Sequence, residues 1–327
     1  MKAVVLHQDG STFKTSDVKM PVPAAGQVLV KIKASGTNPI DVKIRRGAAP
    51  HAQTKLPAIL GLDLAGIVQS VTPGVAGFAS GDEVFGMTGG VGGVQGSLAE
   101  YAAVDPDLLA KKPTGFSMRE AAAIPLIFIT AWEGLVDRAG IQKGQKVLIH
   151  GGAGGVGHMA IQIARYFGAE VFTTVSKKDM ATVEKLGAVA IEYGRTPVDE
   201  YLEGLTGGEG FDIVYDTVGG EVLDHSFLAV KRYTGHVVSC LGWGSYKLAP
   251  LSFRCASYSG VFALYPLLSG RGRKHQGEIL NEAAKIAAAG KLQVFLDDRL
   301  FNLDTVPEAH DLLEGRKNSG KVVITID

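Results

Sequence analysis

The six residues Gly152-Ala153-Gly154-Gly155-Val156-Gly157 carry the spacing G-x-G-x-x-G. An apolar run, Val147-Leu148-Ile149, precedes them, and HMAIQIARYFG follows with apolar residues at helical spacing. The pattern reads as buried strand, tight turn and helix, with the helical residues over Ala160–Tyr166. In that setting one glycine permits a sharp turn, one lets the backbone approach a pyrophosphate, and one lets the helix pack closely on the strand. The helix start adds free N–H groups and the positive end of a dipole. The simpler reading of the same residues is a tight turn that holds no ligand. A second chemical signal lies on the next strand, EVFTTV, about 20 residues on, where dinucleotide-binding sheets carry an acid for the ribose of NAD. Val175 stands there, followed by Ser176-Lys177-Lys178. With no carboxylate at the strand end and two lysines and a hydroxyl beside it, the pattern favours the 2′-phosphate of NADP over NAD. The alternative is that Lys177 and Lys178 are a solvated helix start. Lysine is unfavourable there, and Asp179 is the ordinary first-turn residue.

The elements that must position these residues follow from pattern. From Val147 onward strands and helices alternate: VLIH, EVFTTVS, AVAIEY, FDIVYDTVG, HVVSCLG and a last strand SGVFAL, with helices between. Alternation of this kind means a parallel, doubly wound sheet of the Rossmann type. Ligands of such sheets bind beyond the carboxyl ends of the strands, so Gly152–Gly157, Ser176, Asp216–Gly220 and Cys240–Gly242 are expected at the site. Before this lies a strand-rich region. KAVVLH reads as a strand followed by a polar turn, and VLVKIKA, LAGIVQSV, GDEVFG and LAEYAAVD follow as strand material. Asn38-Pro39 starts a short helix with Asp41 in its first turn. Gly47–Pro57 reads as an exposed loop, and Gly86–Gly96, with six glycines, as a flexible one. AAAIPLIFITAWEGLVDRAG is helical with a break at Pro125. The tail carries the helices GEILNEAAKIAAAG and PEAHDLLEG and ends in KVVITID; it is expected to rejoin the first domain.

Composition limits the partners. The chain has 327 residues, which suggests two domains, and a formal net charge of zero, which argues against nucleic acid or an anionic membrane as partner. No apolar run reaches the roughly 20 residues that span a bilayer. MKAVVLHQDG lacks the long apolar core of a signal peptide. The cysteines Cys240 and Cys255 are too few for a four-cysteine metal lobe or a disulfide framework, so a reducing cytoplasm is the expected location.

At this point the residues resemble a known family. ASGTNPIDVKIRRG, GLDLAGIV, GDEVFG, AAAIPLIFITAWEGL, GGAGGVGHMAIQIAR, FDIVYDTVGG and AHDLLEGRKNSGKVVI look like the medium-chain dehydrogenase/reductase superfamily, and most like its zinc-free quinone oxidoreductases, the group that includes zeta-crystallin. The resemblance runs nearly end to end and implies a GroES-like catalytic domain over 1–122 and 266–327 with a Rossmann cofactor domain over 123–265. In the zinc alcohol dehydrogenases of that superfamily a cysteine and then a His-Glu pair help to bind catalytic zinc. Asn38 matches the cysteine and Leu62-Asp63 the pair. Leucine cannot bind zinc and a neutral amide is a poor ligand, while His51, His150 and His158 are scattered, so no metal is expected.

The same resemblance implies the cofactor residues. It sets Asn38 by the nicotinamide ribose and Thr130 by the nicotinamide end, and has Gly154, Gly155 and Val156 hold the pyrophosphate. Ser176, Lys178 and Tyr193 hold the 2′-phosphate and adenosine side. Leu241, Phe262, Ala263 and Leu264 line the nicotinamide pocket, and Lys321 reaches the cofactor from the tail. Tyr193 reads equally as an amphipathic strand-end residue, and Asn38 as a helix cap. Without a Lewis acid, alcohol oxidation is difficult, whereas a quinone or α,β-unsaturated carbonyl accepts hydride at carbon. The expected activity is therefore hydride transfer from NADPH to a quinone or enone. Asn38, Asp41 and Arg45 are the polar candidates at the reacting face, although Asp41 also reads as a cap and Arg45 as its ion-pair partner. Two other readings stay open: a different alcohol or aldehyde dehydrogenase of the superfamily, and an NADPH-binding protein without turnover, as among crystallins. The edge strand SGVFAL, read as apolar and exposed, suggests a homodimer.

Overall fold

The computed structural model describes residues 1–7 and 12–327. The polar turn expected after KAVVLH lies outside the described residues. Two units form: one from Met1–Leu126 with Leu264–Asp327, the other from Ile127–Ala263.

The first unit is antiparallel. β1 (Lys2–Leu6) pairs with β2 (Phe13–Asp17) and β4 (Ala58–Ile59). A larger sheet runs β15 (Val323–Thr325), β3 (Val28–Gly36), β5 (Asp63–Val71), β6 (Glu83–Met87), β8 (Leu109–Lys111), with β7 (Tyr101–Val104) also on β3. Apolar residues such as Val28, Val30 and Ile32 of β3 are buried, while Lys31 and Lys33 are half-buried, which is the period-2 signature of a strand with one face on the core. Gly36, the last residue of β3, lies between Asp63 of β5 and Val323 of β15. That register brings three distant stretches of chain to one point.

Two loops of this unit depart from expectation. Gly86–Gly96 is packed over its first part, with residues 86–91 buried, while Gly92 and Gly93 are exposed. A Cβ on Gly89 would meet the Gln95 carbonyl at 1.9 Å, and one on Gly96 the Leu60 carbonyl at 2.2 Å. These glycines serve close backbone packing. Gly47–Pro57 is not a bare exposed loop either. It contains a 3-10 turn, Pro50–Ala52, with Ala49 and Ala52 buried, and the Gly92 N–H donates to the Ala52 carbonyl at 2.9 Å.

The second unit is a parallel sheet. Its order is β11 (Val189–Glu192), β10 (Glu170–Val175), β9 (Lys146–His150), β12 (Ile213–Asp216), β13 (His236–Ser239), β14 (Ser257–Gly260). The chain goes outward from β9 on one side and then returns to build the other, so the order reverses at β9. A crevice opens beyond the strand ends at such a reversal, and the glycine loop follows β9 directly. Leu148, Phe172, Val214, Phe211, Phe227 and Val237 belong to the buried core on one face of this sheet.

Two boundaries shift. The helix after the glycine loop is Gly155–Tyr166, longer than the expected Ala160–Tyr166, because Gly154 is already its N-cap. The last strand is Ser257–Gly260 rather than SGVFAL. β13 ends at Ser239, paired with Gly260, so only one further bond, Val261 N–H to the Ser239 carbonyl at 2.9 Å, follows before the chain leaves the sheet. The edge strand is therefore Ser-Tyr-Ser-Gly, polar and largely exposed, and not the apolar edge expected.

Candidate functional site

A buried polar cluster sits where β3, β5 and the approach to β15 meet. Asn38 caps the helix Pro39–Arg45, and both Asn38 and Asp63 are fully buried. The Asn38 amide nitrogen donates to Asp63 Oδ2 at 2.8 Å and to the Gly36 carbonyl at 3.3 Å. Lys321 Nζ donates to Asn38 Oδ1 and, at 3.4 Å, to Asp63 Oδ2. Thr37 N–H donates to the Val322 carbonyl at 2.9 Å, which holds the tail against this point. The Leu126 N–H donates to Asp63 Oδ1 at 2.9 Å. Asp63 is thus surrounded by donors, and the orientation of the Asn38 amide is fixed from both ends.

Asp41 completes the cluster from the first turn of the same helix. Its Oδ2 accepts the Asn38 N–H at 2.8 Å, while its Oδ1 is buried with no partner in full hydrogen-bond geometry, the Gly61 N–H being the backbone donor that faces the carboxyl. Burial is the main reason its pKa is raised to about 7; the Asn38 N–H opposes the shift, the Asp63 charge adds to it, and the Lys321 charge opposes it. Burial likewise raises Asp63, opposed by the Lys321 charge, and lowers Lys321, opposed by the charges of Asp63 and Asp41. The capping role expected for Asp41 is present, but a cap alone does not bury the carboxyl. Asp63 does not stand out as a functional residue in the sequence; its only signal is an acid inside the apolar stretch LGLDLAG. Arg45 does not join the cluster. It pairs with Asp311 at 2.6 Å, not with Asp41, and lies over the Phe13 ring, 5.6 Å from its centroid.

The glycines of the loop fall into two groups. A Cβ on Gly152 would lie 2.0 Å from Thr173 Oγ1, and one on Gly157 2.2 Å from the Gly151 carbonyl. Those two positions are closed by packing. Gly154 and Gly155 are exposed, and a Cβ there would meet nothing nearer than 3.2 Å and 3.1 Å. The open backbone at Gly154, Gly155 and Val156 is the start of a twelve-residue helix, whose first N–H groups have no partner within the helix. This surface fits an anion such as a pyrophosphate.

At the end of β10 the environment is more mixed than the sequence suggests. Ser176 Oγ donates to Asp179 Oδ2 at 2.6 Å. A carboxylate is therefore present beside the expected 2′-phosphate position, supplied one helical turn along rather than by the strand end. Lys177 and Lys178 are exposed. Tyr193 is 66% exposed, and its N–H donates to the Val175 carbonyl at 3.2 Å.

The remaining strand ends are tied by Asp216. Its Oδ1 accepts the N–H groups of Val218 and Gly219 at 2.9 Å, and its Oδ2 accepts Ser239 Oγ at 2.7 Å. Leu241 N–H donates back to Ser239 Oγ at 3.0 Å, which brings Asp216–Gly220 and Cys240–Gly242 together. Burial pushes the Cys240 thiol up to about 12, so it is no thiolate nucleophile. The Thr130 carbonyl accepts the Tyr215 hydroxyl at 2.6 Å, just before the helix Pro125–Trp132 widens into a π-helical turn over Glu133–Arg138. Phe262 packs edge-on against Trp243, while Ala263 and Leu264 are buried. Among the described residues no three His, Cys, Asp or Glu side chains gather to hold a metal ion, and no helix is long and apolar enough to cross a membrane.

Comparison with known proteins agrees with this architecture. Residues 24–114 match the alcohol dehydrogenase GroES-like domain family, and residues 186–324 the zinc-binding dehydrogenase family. A crystal structure of an alcohol dehydrogenase superfamily protein from Novosphingobium aromaticivorans shares 55% identity over the whole of both chains, with a TM-score of 0.98. The 2-methylene-furan-3-one reductase of Solanum lycopersicum is 37% identical over 94% of this chain and 74% of its own length. An NADPH-dependent alkenal/one oxidoreductase of Arabidopsis thaliana is 33% identical over the same shares of the two chains. With a parallel sheet carrying a glycine loop at its order reversal, an antiparallel GroES-like unit and relatives of this kind, the chain belongs to the medium-chain dehydrogenase/reductase superfamily of oxidoreductases.

Proposed function

We propose that this chain is an NADPH-dependent reductase that delivers hydride to the carbon framework of an α,β-unsaturated carbonyl compound, or to a quinone, without catalytic zinc. The observation that carries the reading is the buried cluster of Asn38, Asp41, Asp63 and Lys321. By the resemblance, Asn38 stands where the zinc-dependent members carry a thiolate, Leu62 where they carry the imidazole and Asp63 where they carry the glutamate, and the cluster is knit together by hydrogen bonds among its own members. A neutral amide whose nitrogen donates to Asp63 and whose oxygen accepts from the Lys321 amine is a poor zinc ligand. The relatives that reduce a methylene-furanone and alkenals or alkenones support the enone class.

When bound, NADPH supplies the hydride, two electrons and one proton nucleus, which forms a C–H bond at the β-carbon and leaves an enolate to be protonated from the solvent side. The chain's own part is to bind, orient and hold protons. Gly154, Gly155 and Val156 offer backbone donors for the pyrophosphate, and Ser176, Lys178 and Tyr193 are assigned to the adenosine end. Thr130, Leu241, Phe262, Ala263, Leu264, Lys321 and Asn38 are assigned to the nicotinamide end. With a pKa raised to about 7, Asp41 exchanges a proton at its carboxyl near neutral pH, and the Lys321 Nζ–H groups beside it offer donors to negative charge developing nearby. Arg45 is committed to Asp311 and takes a lesser part than Asn38 and Asp41. A cytoplasmic location, resting on free Cys240 and Cys255, and a homodimer belong to the same reading.

The test is NADPH oxidation with a simple enone and, separately, a simple quinone, on protein whose metal content has been measured. Turnover of either acceptor by metal-free protein is expected. One tightly bound zinc per chain that is required for turnover sinks the zinc-free mechanism. Tight NADPH binding without turnover of either acceptor favours a non-catalytic role instead.

A further inference from the structure

The hydrogen-bond accounting at the end of β10 bears on which dinucleotide is accepted. A serine hydroxyl has one proton to donate and two lone pairs to accept with. At Ser176 that proton goes to Asp179 Oδ2 at 2.6 Å. The side of Ser176 Oγ left for a ligand is then an acceptor. A ribose 2′-hydroxyl can donate to an acceptor. A 2′-phosphate, near neutral pH, presents almost only acceptor oxygens and close to two negative charges. For Ser176 to serve a phosphate it must leave Asp179, and the Asp179 carboxylate then adds like-charge repulsion at short range.

Other charges at this strand end pull both ways. Lys177 and Lys178 are exposed on the turn that follows Ser176. Glu192, paired in register with Val175, is engaged by Arg195 at 3.6 Å. The cations can hold a phosphate, and the carboxylates can repel it. No carboxylate replaces Val175 at the strand end itself, where it would grip both ribose hydroxyls and exclude the phosphate outright.

We infer that Asp179, acting through Ser176, is the residue that sets dinucleotide specificity in this chain, and that it holds the preference for NADPH over NADH to a modest level so that both are bound. The inference rests on the dinucleotide-dependent reading above and refines it. Asp179 is a positioning residue: it directs the Ser176 proton and contributes its charge, while Ser176 and the lysines make the contacts.

The experiment is a pair of equilibrium titrations, with NADH and with NADPH, followed by cofactor fluorescence on wild-type protein and on the variants Asp179→Asn, Asp179→Ala and Lys178→Ala. Binding of both dinucleotides by the wild type is expected, with dissociation constants within about tenfold of each other. Removing the Asp179 charge is expected to raise the NADPH preference by about tenfold or more, mostly through tighter NADPH binding. Lys178→Ala is expected to shift the ratio the opposite way. Two Asp179 variants guard against one that folds poorly. Binding of both dinucleotides with a ratio unmoved by either Asp179 variant overturns the inference and leaves the proposed activity standing. Failure of the wild type to bind either dinucleotide overturns both. A ratio that moves as described, in protein that reduces neither enone nor quinone, supports the inference and removes the substrate assignment alone.

Discussion

Asp41 sits in surroundings that a carboxylate does not prefer. Its carboxyl is buried, one oxygen has no partner in full hydrogen-bond geometry, and its pKa is raised from 3.8 to about 7. A carboxyl whose folded-state pKa lies above its unfolded value binds more protons when folded, so it weakens the fold as pH rises from about 4 through 7. The shift corresponds to about 4 kcal/mol at most. Asp41→Asn keeps an oxygen for the Asn38 N–H and cannot ionise. The stability of this variant relative to wild type, measured by urea unfolding, is therefore expected to improve between pH 5 and pH 8. If the Asp41 proton also matters to turnover, wild-type kcat/KM falls as pH rises through about 7, and the variant loses that inflection. Identical pH profiles for the two proteins remove Asp41 from the proposed chemistry. Little of this was legible from NPIDVK. The capping spacing predicts where Asp41 sits, but not its burial or the charges it faces, which come from Asp63 at the start of β5 and Lys321 just before β15.

At the scale of elements the glycine loop separates packing from binding. Gly152 and Gly157 are closed by Thr173 and the Gly151 carbonyl, whereas a methyl group at Gly155 presses only on the end of the Ile127 side chain, at 3.1 Å, which must give by a few tenths of an ångström. Gly152→Ala is expected to destabilise the fold by several kcal/mol, because the clash is with a threonine on the adjacent strand and a buried core yields poorly. Gly155→Ala is expected to keep its unfolding free energy within about 1 kcal/mol of wild type, because Ala is a better helix former than Gly. Its dinucleotide affinity is expected to fall at least tenfold, because the methyl group stands on the surface the phosphate must approach. Equal losses of stability in the two variants contradict this division. The motif's spacing and the kinds of role its glycines play were plain in sequence, but which atoms close off Gly152 and Gly157 was not. Gly86–Gly96 shows the same limit. Six glycines read as flexibility until their neighbours are known, and there the neighbours are backbone carbonyls within 2.4 Å of a Cβ at Gly89 and Gly96.

For the whole molecule, the polar edge strand changes the reason for expecting a dimer but not the expectation. β14 is the terminal strand of its sheet, and Leu248, Phe253 and Tyr258, on and just before it, are all exposed, Phe253 by 86%. Unpaired backbone groups beside such side chains favour pairing with a second copy about a two-fold axis. Light scattering is expected to give a mass of twice 34.3 kDa. Asp in place of Phe253 is expected to shift that mass toward one chain; a wild type that scatters as a single chain removes the dimer from the proposal. The amino-acid sequence by itself determined the alternation that makes the parallel sheet and the glycine spacing after its first strand, because each of these is local or periodic. Only the tertiary structure decided that Asp63 and Lys321 meet at Asn38 and that Asp179 takes the proton of Ser176. The first depends on the register of β3 against β5 and β15, and the second on the path of a single turn after β10. No spacing rule encodes either one, since side-chain contact is set by where backbones pair and turn.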